Sequence, residues 1–231
     1  MDKVAVYAGT RNLYEQMYVC LKSLLANTIM DRVYLLIEDD EFPYPLPDIV
    51  RIMNVKEQEF FLPGSPNYAS PWSYMAMLRC VLGFILDEDR VLWLDCDTIV
   101  NDDISDLFNI NMDGYYYAGV MEPGKSKDIF RYVNSGVMLC NLELLRETAK
   151  EVELAYFLNT YRFVWADQEV INLLCQGHIR TIDSAYNQNA FTLQCIRPKI
   201  IHYAAVKDFK NDWAYQKYAN LDLFAEGPKD E

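Results

Sequence analysis

Asp95 and Asp97 are the two residues of this sequence best placed to do chemistry, because they flank one residue, Cys96, directly after an apolar run. Residues 91–94 are all apolar and predict a short buried strand. In an extended segment, residues i and i+2 point to the same side, so both carboxylates can face one cation. Burying two carboxylates without a counterion is costly. The pattern therefore favours a divalent-metal site, and a turn or helix cap at Asp97 is the alternative.

A histidine supplies the third candidate ligand. The chain has two histidines, His178 and His202. His202 follows the apolar residues 200–201 and so also ends a predicted strand, whereas His178 follows a predicted turn, and we assign it no role. Two carboxylates and a neutral imidazole suit Mn²⁺, with Mg²⁺ as the alternative. A lone histidine is more often structural, so this assignment requires the fold to bring His202 to the aspartates.

The elements that must position these residues alternate between strands and helices. Strands are predicted at 4–7, 33–37, 49–53, 91–94, 115–121 and 137–140, and helices at 18–25, 73–85, 142–158 and 167–174. Such alternation predicts an α/β fold with a mostly parallel, doubly wound sheet flanked by helices. In open α/β sheets, ligands bind outside the carboxyl ends of strands. Asp95 stands at such an end.

Composition limits the class of protein. The chain has 231 residues, of which 52% are hydrophobic, and this is enough for one α/β core. Its net charge is −13, and its basic residues are scattered, which argues against nucleic-acid binding. An acidic protein that binds a diphosphate needs a cation to screen the charge.

Cysteine usage and the apolar runs bear on location. The six cysteines form no CxxC pair and are predicted to be buried, reduced thiols of a reducing compartment. No apolar run approaches the roughly 20 residues of a membrane helix, and no signal-peptide core precedes residue 4. We therefore expect a soluble, cytoplasmic protein without a transmembrane segment. A catalytic domain trimmed from a longer chain would look the same, and the oligomeric state is left open.

Four motifs in order carry a resemblance to a known family. They are the runs 91–98 and 134–139 (Asn134-Ser135-Gly136 followed by apolar residues), the pair 167–168, and 201–203. Together they resemble glycosyltransferase family 8, which contains bacterial lipopolysaccharide galactosyl- and glucosyltransferases and glycogenin. The resemblance covers nearly the whole chain. Each motif is modest alone, but their order is specific.

The resemblance implies a GT-A fold, with a Rossmann-like mixed, mostly parallel sheet. It implies one domain over 1–231, with a nucleotide-binding part at about 1–100 and a sugar and acceptor part at about 101–220. It further implies a UDP-sugar donor, retention of anomeric configuration and a carbohydrate, glycolipid or protein acceptor. The family's metal ligands match Asp95, Asp97 and His202.

The resemblance also assigns roles to individual donor-site residues. Ala8, Thr10 and Asn12 match positions that hold uracil and ribose, and Arg79 matches an arginine that reaches the diphosphate and sugar. A structural salt bridge is the alternative for Arg79. Asn134, Asp167 and Gln168 match residues around the transferred sugar and are the expected catalytic residues. Glu122 matches a position near the sugar or the acceptor. Cys96, Ser135 and Gly136 are expected to contact the donor.

The sequence departs from the family pattern at three places. Thr10 replaces a usual aspartate, and Glu122 replaces another and is one methylene longer. The tail lacks the usual glycine and proline, so either Lys207 or Lys210 serves the diphosphate, or both are solvated surface lysines.

The residues near the sugar bear on mechanism. Double displacement needs a carboxylate nucleophile, but the matching position holds Gln168, a poor nucleophile, and the adjacent carboxylate is Asp167. We therefore favour front-face return, in which the leaving phosphate takes the acceptor's proton. Two alternatives remain open: a nucleotidyltransferase, for which residues 8–11 make a poor glycine- and lysine-rich loop, and a nucleotide-sugar-binding protein without turnover.

Overall fold

The computed structural model describes residues 2–69, 73–126 and 131–224. Within them the chain forms nine strands: Val4–Ala8 (β1), Arg32–Ile37 (β2), Val50–Asn54 (β3), Arg90–Leu94 (β4), Thr98–Val100 (β5), Tyr117–Met121 (β6), Val133–Asn141 (β7), Ile179–Ile182 (β8) and Ile200–His202 (β9). Seven of them form one sheet in the order β3-β2-β1-β4-β7-β6-β8. Strand β7 is antiparallel to both of its neighbours, and the other neighbouring pairs are parallel. The predicted mostly parallel sheet is confirmed.

Strand β1, in the interior of the sheet, is apolar at every position and buried at all but its last residue. Along β1, Val4 and Val6 enter one hydrophobic cluster, whereas Ala5 and Tyr7 enter the other. This division follows from the alternation of side chains along a strand. Such a sheet needs helices on each side.

Those helices are Tyr14–Asn27 (α1), Ser73–Met77 (α2), Leu82–Ile85 (α3), Leu142–Glu147 (α4), Lys150–Thr160 (α5), Ala166–Leu174 (α6) and Trp213–Ala219 (α7). Helix α1 covers one face through Met17, Leu21 and Leu24, which recur at helical spacing. Helix α6 covers the other through Val170 and Ile171. No helix of the described segments is both long enough and apolar enough to cross a membrane.

Two predicted helices were wrong in extent. The helix expected over 73–85 is interrupted by a 3-10 turn, Leu78–Cys80, whose three residues are all buried. The helix expected over 142–158 breaks at Ala149, which has φ of 52°. A left-handed residue cannot continue a right-handed helix. The burial of Leu78–Cys80 indicates that tertiary packing overrides the apolar pattern there, whereas nothing in the structure explains the break at the exposed Ala149.

The Asn134-Ser135-Gly136 motif lies inside β7, not before it as predicted. The nine residues of β7 are all buried, so the motif's polar groups need partners within the protein. The prediction began the strand at Val137 because polar residues usually mark its boundary. All six cysteines are free thiols. Five are buried as predicted, whereas Cys195 is half-buried.

Candidate metal and donor site

The site begins where β4 ends. The Asp95 N–H donates to the Gly136 carbonyl at 2.8 Å, which extends the β4–β7 ladder by one residue. The Asp95 carbonyl then accepts from the Thr98 N–H at 3.2 Å and the Thr98 hydroxyl at 2.7 Å, which closes a turn. The extended geometry expected for Asp95 and Asp97 was therefore wrong. The turn nevertheless directs both carboxylates to one histidine.

That histidine is His202, the last residue of β9. Strand β9 pairs with β5 so that His202 lies opposite Thr98. His202 Nε2 is 3.2 Å from Asp97 Oδ1 and 3.9 Å from Asp95 Oδ2. One ligand atom from each of the three residues lies within 4.8 Å of the other two. The three residues expected to bind metal are thus brought together.

The electrostatics of this cluster fit a cation. Burial disfavours the imidazolium form of His202, but the nearby carboxylates of Asp97 and Asp95 outweigh burial and raise its pKa. Burial likewise works against ionised Asp97, but His202 outweighs it, and the pKa of Asp97 is lowered. The Asp95 and Asp97 side chains are 29% and 28% exposed, whereas that of His202 is 3% exposed. The two carboxylates repel each other, and a divalent cation bound between them would attract both. Because the aspartates are part-exposed, one side of that cation would face solvent.

Arg79 joins this cluster to the predicted sugar side. Its side chain is buried, its Nη2 donates to Asp95 Oδ1 at 2.8 Å, and its Nε lies 3.0 Å from Asp167 Oδ2. Its Nη1 donates to the Ser135 carbonyl, and its guanidinium carbon lies 4.6 Å from the centre of the Trp93 ring. Arg79 therefore forms the structural salt bridge that the sequence left as one alternative. Its contact with a donor stays a prediction.

Asp167 and Gln168 lie in the first turn of α6, facing β7. The Ser135 hydroxyl donates to Asp167 Oδ2 at 2.9 Å. Burial raises the pKa of Asp167 to about 6, and Arg79 opposes the rise. Gln168 Oε1 accepts from the Ser135 N–H at 3.0 Å and from Asn134 Nδ2 at 3.1 Å. The amide of Gln168 is thus held in one orientation.

Glu122 and Asn134 complete the buried network. Asn134 Nδ2 donates to Glu122 Oε1 at 2.8 Å, and Lys125 Nζ lies 3.0 Å from Glu122 Oε2. Only 2% of Glu122 is exposed. The longer side chain at position 122 therefore reaches Asn134 directly.

The predicted nucleotide-binding residues lie at the end of β1, whose last residue is Ala8, and directly after it at Thr10 and Asn12. Cys96 Sγ donates to the Ala8 carbonyl at 3.3 Å, so the end of β1 adjoins the aspartate turn. The Thr10 hydroxyl donates to Asn12 Oδ1. The intervening Arg11 lines a cavity of about 520 Å³ together with Tyr14 and residues 39–43. A cavity of this size is in the range of small-ligand sites.

The two lysines of the tail are not part of the buried network. Lys210 Nζ lies 3.0 Å from Glu15 Oε2 in an ion pair whose two side chains are well exposed. Lys207 is also exposed. Both residues are thus surface lysines in this structure, which was the alternative. Their contact with a diphosphate stays a prediction.

Sequence reasoning missed Asn187, which is completely buried. Asn187 lies between the two halves of the site: its Nδ2 donates to Asn134 Oδ1 at 2.9 Å, and its Oδ1 lies 2.8 Å from His202 Nδ1. In the sequence it is one of several polar residues between β8 and β9. Asparagine is typical of loops, so only the fold reveals its burial.

The sequence model of one family, Glycosyl transferase family 8, matches residues 7–214. The chain belongs to this family. Among curated relatives, it is 25% identical to glycosyltransferase GlyA of Streptococcus pneumoniae serotype 4 over 97% of this chain and 35% of that protein. It is 30% identical to glycosyltransferase GlyD of the same strain over 81% of this chain and 24% of that protein. The chain thus spans about a third or less of the length of these relatives.

Solved structures support the fold assignment. The galactosyltransferase LgtC, in complex with donor and acceptor sugar analogs, superposes with a TM-score of 0.72 at 20% identity, over 98% of each chain. The glycosyltransferase GlyE of S. pneumoniae TIGR4 superposes with a TM-score of 0.72 at 22% identity, over 96% of this chain and 61% of that one. The predicted GT-A fold is confirmed.

Proposed function

We propose that this family 8 chain transfers a hexose from a UDP-sugar to a carbohydrate, glycolipid or protein acceptor, with retention of configuration. A divalent cation, Mn²⁺ or Mg²⁺, is held by Asp95, Asp97 and His202. The observation that carries the proposal is the convergence of these three side chains, with ligand atoms within 4.8 Å of one another, at the carboxyl end of β4. This is the edge at which α/β sheets bind ligands.

The donor atoms of the cluster are oriented for a cation. Asp95 Oδ1 accepts from Arg79 Nη2 and from Trp93 Nε1, each at 2.8 Å. The oxygen nearer His202 is therefore Oδ2, and it is the one that Asp95 offers to a metal. When bound, the cation neutralises charge that develops on the departing diphosphate. The roles of Ala8, Thr10, Asn12, Lys207 and Lys210 toward the nucleotide and diphosphate remain part of this proposal.

The contacts on the sugar side favour front-face return over double displacement. The Ser135 hydroxyl donates a hydrogen bond to Asp167 Oδ2, and Arg79 Nε lies beside the same oxygen. A carboxylate bound in this way is a poor nucleophile, because its charge is already neutralised. Gln168 is held by backbone and side-chain donors of the Asn134-Ser135 pair. We assign Gln168 to steadying the positive charge that develops on the sugar.

A donor panel tests the proposed function. The purified protein is incubated with UDP-glucose, UDP-galactose or UDP-N-acetylglucosamine and Mn²⁺, and UDP release is measured. We expect metal-dependent release from at least one donor, which EDTA abolishes and Asp97→Asn reduces strongly. Asp113→Asn, at an exposed turn, is the matched control and should leave release unchanged. Release of pyrophosphate would instead indicate a nucleotidyltransferase, and donor binding without release a binding protein.

A further inference from the structure

Asn187 is held beside the candidate metal site by the backbone on its carboxyl side. The Gln188 N–H donates to the Ile200 carbonyl at 2.9 Å, and the His202 N–H donates to the Gln188 carbonyl at 2.9 Å. These bonds join the segment that follows β8 to strand β9. The Asn187 side chain therefore lies next to the His202 ring at a fixed register.

The orientation of the Asn187 amide follows from a backbone group. The Gly136 N–H donates to Asn134 Oδ1 at 3.0 Å, and a backbone N–H has no other role, so this atom of Asn134 is the oxygen. Asn187 faces the same oxygen at 2.9 Å and must do so with its NH₂ group. The atom of Asn187 that faces His202 Nδ1 at 2.8 Å is consequently its oxygen. Asn189 Nδ2 donates to that oxygen too, at 2.9 Å.

An acceptor oxygen opposite His202 Nδ1 requires a proton on that nitrogen, because the oxygen cannot donate one. An imidazole that binds a cation while Nδ1 carries its proton must do so through Nε2. Nε2 is the ring nitrogen that faces the aspartates, 3.2 Å from Asp97 Oδ1. Outer hydrogen bonds of this kind orient metal-binding histidines in general.

We propose that Asn187 is a positioning residue that accepts the Nδ1–H of His202 and so holds the ring with Nε2 toward the cation. The inference rests on the metal site of the proposed function, but it makes a separate claim about the metal-free protein. It also links the metal and sugar halves of the site, because the chain of hydrogen bonds continues from Asn187 through Asn134 to Glu122.

The Nδ1 proton can be measured directly because the chain has only two histidines. In the His178→Gln background, the ¹H–¹⁵N spectrum of the imidazole reports His202 alone, and it is recorded without metal. We expect a proton on Nδ1 that exchanges slowly with solvent. Asn187→Leu should lose this slow exchange, whereas Asn187→Asp, which retains an acceptor oxygen, should keep it.

Mn²⁺ alone, titrated calorimetrically, provides the second readout. Asn187→Leu should weaken Mn²⁺ binding roughly 10- to 100-fold, and Asn187→Asp should retain most of it. Asn67→Leu is the structural control, because Asn67 is buried and bonds the carbonyls of Leu158 and Tyr161, which are outside the network.

These outcomes separate the two claims. Unchanged slow exchange of the His202 Nδ1 proton in Asn187→Leu overturns the inference, and so does equal weakening of Mn²⁺ binding by Asn67→Leu. If the wild-type protein bound no Mn²⁺, the metal site of the proposed function would be contradicted. The exchange of the Nδ1 proton in the metal-free protein would still confirm or overturn the role of Asn187.

Discussion

The His202 ring lies directly against Gly136, and a Cβ at position 136 would come within 2.1 Å of His202 Cε1. Gly136 is in the middle of β7, and its carbonyl accepts the Asp95 N–H. Glycine is needed there because the imidazole occupies the space where a side chain would stand. This contact gives a physical reason for the glycine of the Asn134-Ser135-Gly136 motif: its missing side chain leaves room for the histidine of the proposed metal site.

Gly136→Ala should therefore displace the His202 ring. We expect Mn²⁺ affinity to fall by roughly two orders of magnitude, together with kcat/KM for UDP release, because one of the three proposed ligands moves out of place. Isothermal titration with Mn²⁺ and donor-hydrolysis kinetics measure the two effects. Gly124→Ala is the matched control, because a Cβ at Gly124 meets open space. If Gly136→Ala bound Mn²⁺ as tightly as the wild type, the ring would not be seated in this way.

The extent to which the sequence predicts this site depends on how local each signal is. Asp95 and Asp97 are recognisable because an apolar strand ends immediately before them. The burial of Asn187 is not recognisable, because it depends on contacts with distant segments. Asn187 is held by His202 and Asn134, which lie 15 and 53 positions away.

Arg79 neutralises the carboxylates of Asp95 and Asp167, of which the first is part-exposed and the second is buried. Its removal should therefore destabilise the folded protein strongly. Arg79→Met should lower the free energy of unfolding by about 3 kcal/mol, because a buried charge loses its partner. Urea denaturation measures the effect. Arg51→Met, at an exposed arginine, should change stability little.

Adding Asp167→Asn to Arg79→Met should recover part of the lost stability, because the uncompensated carboxylate is then absent. Additive losses in the double variant would contradict an energetic coupling between Arg79 and Asp167.

Glu151 is buried on α5, where its Oε1 accepts the Gly83 N–H at 2.6 Å and its Oε2 has no hydrogen-bond partner in the described segments. Burial raises the pKa of Glu151 from 4.5 to about 7. An acid whose pKa is raised on folding binds its proton more tightly in the folded state. Its contribution to stability is therefore greatest at acidic pH and is lost as the pH rises from about 4.5 to about 7.

Glu151→Gln should remove this pH dependence. At about pH 8 the variant should be more stable than the wild type by on the order of 2–3 kcal/mol, and near pH 4 the two should be alike. Urea denaturation across this range measures the difference. Glu57→Gln, at an exposed turn, provides the comparison and should shift stability little at either pH. A constant difference between Glu151→Gln and wild type at all pH values would contradict the raised pKa.

Gln168 tests the mechanism, because double displacement requires a nucleophile at this position, whereas front-face return needs no covalent partner there and can use a neutral group that stabilises the sugar. Gln168→Ala removes the amide held by Ser135 and Asn134, and we expect kcat for UDP release to fall by roughly 100-fold with little change in KM, as for loss of one electrostatic group in a transition state. Gln176→Ala, at a part-exposed glutamine just beyond α6, should leave kcat unchanged.

A decrease of only a few-fold in Gln168→Ala would assign the stabilisation of the sugar to another group. In that case Asp167, the adjacent carboxylate, would have to exchange its bonds to Arg79 and Ser135 for a contact with the sugar, and Asp167→Asn would then abolish transfer.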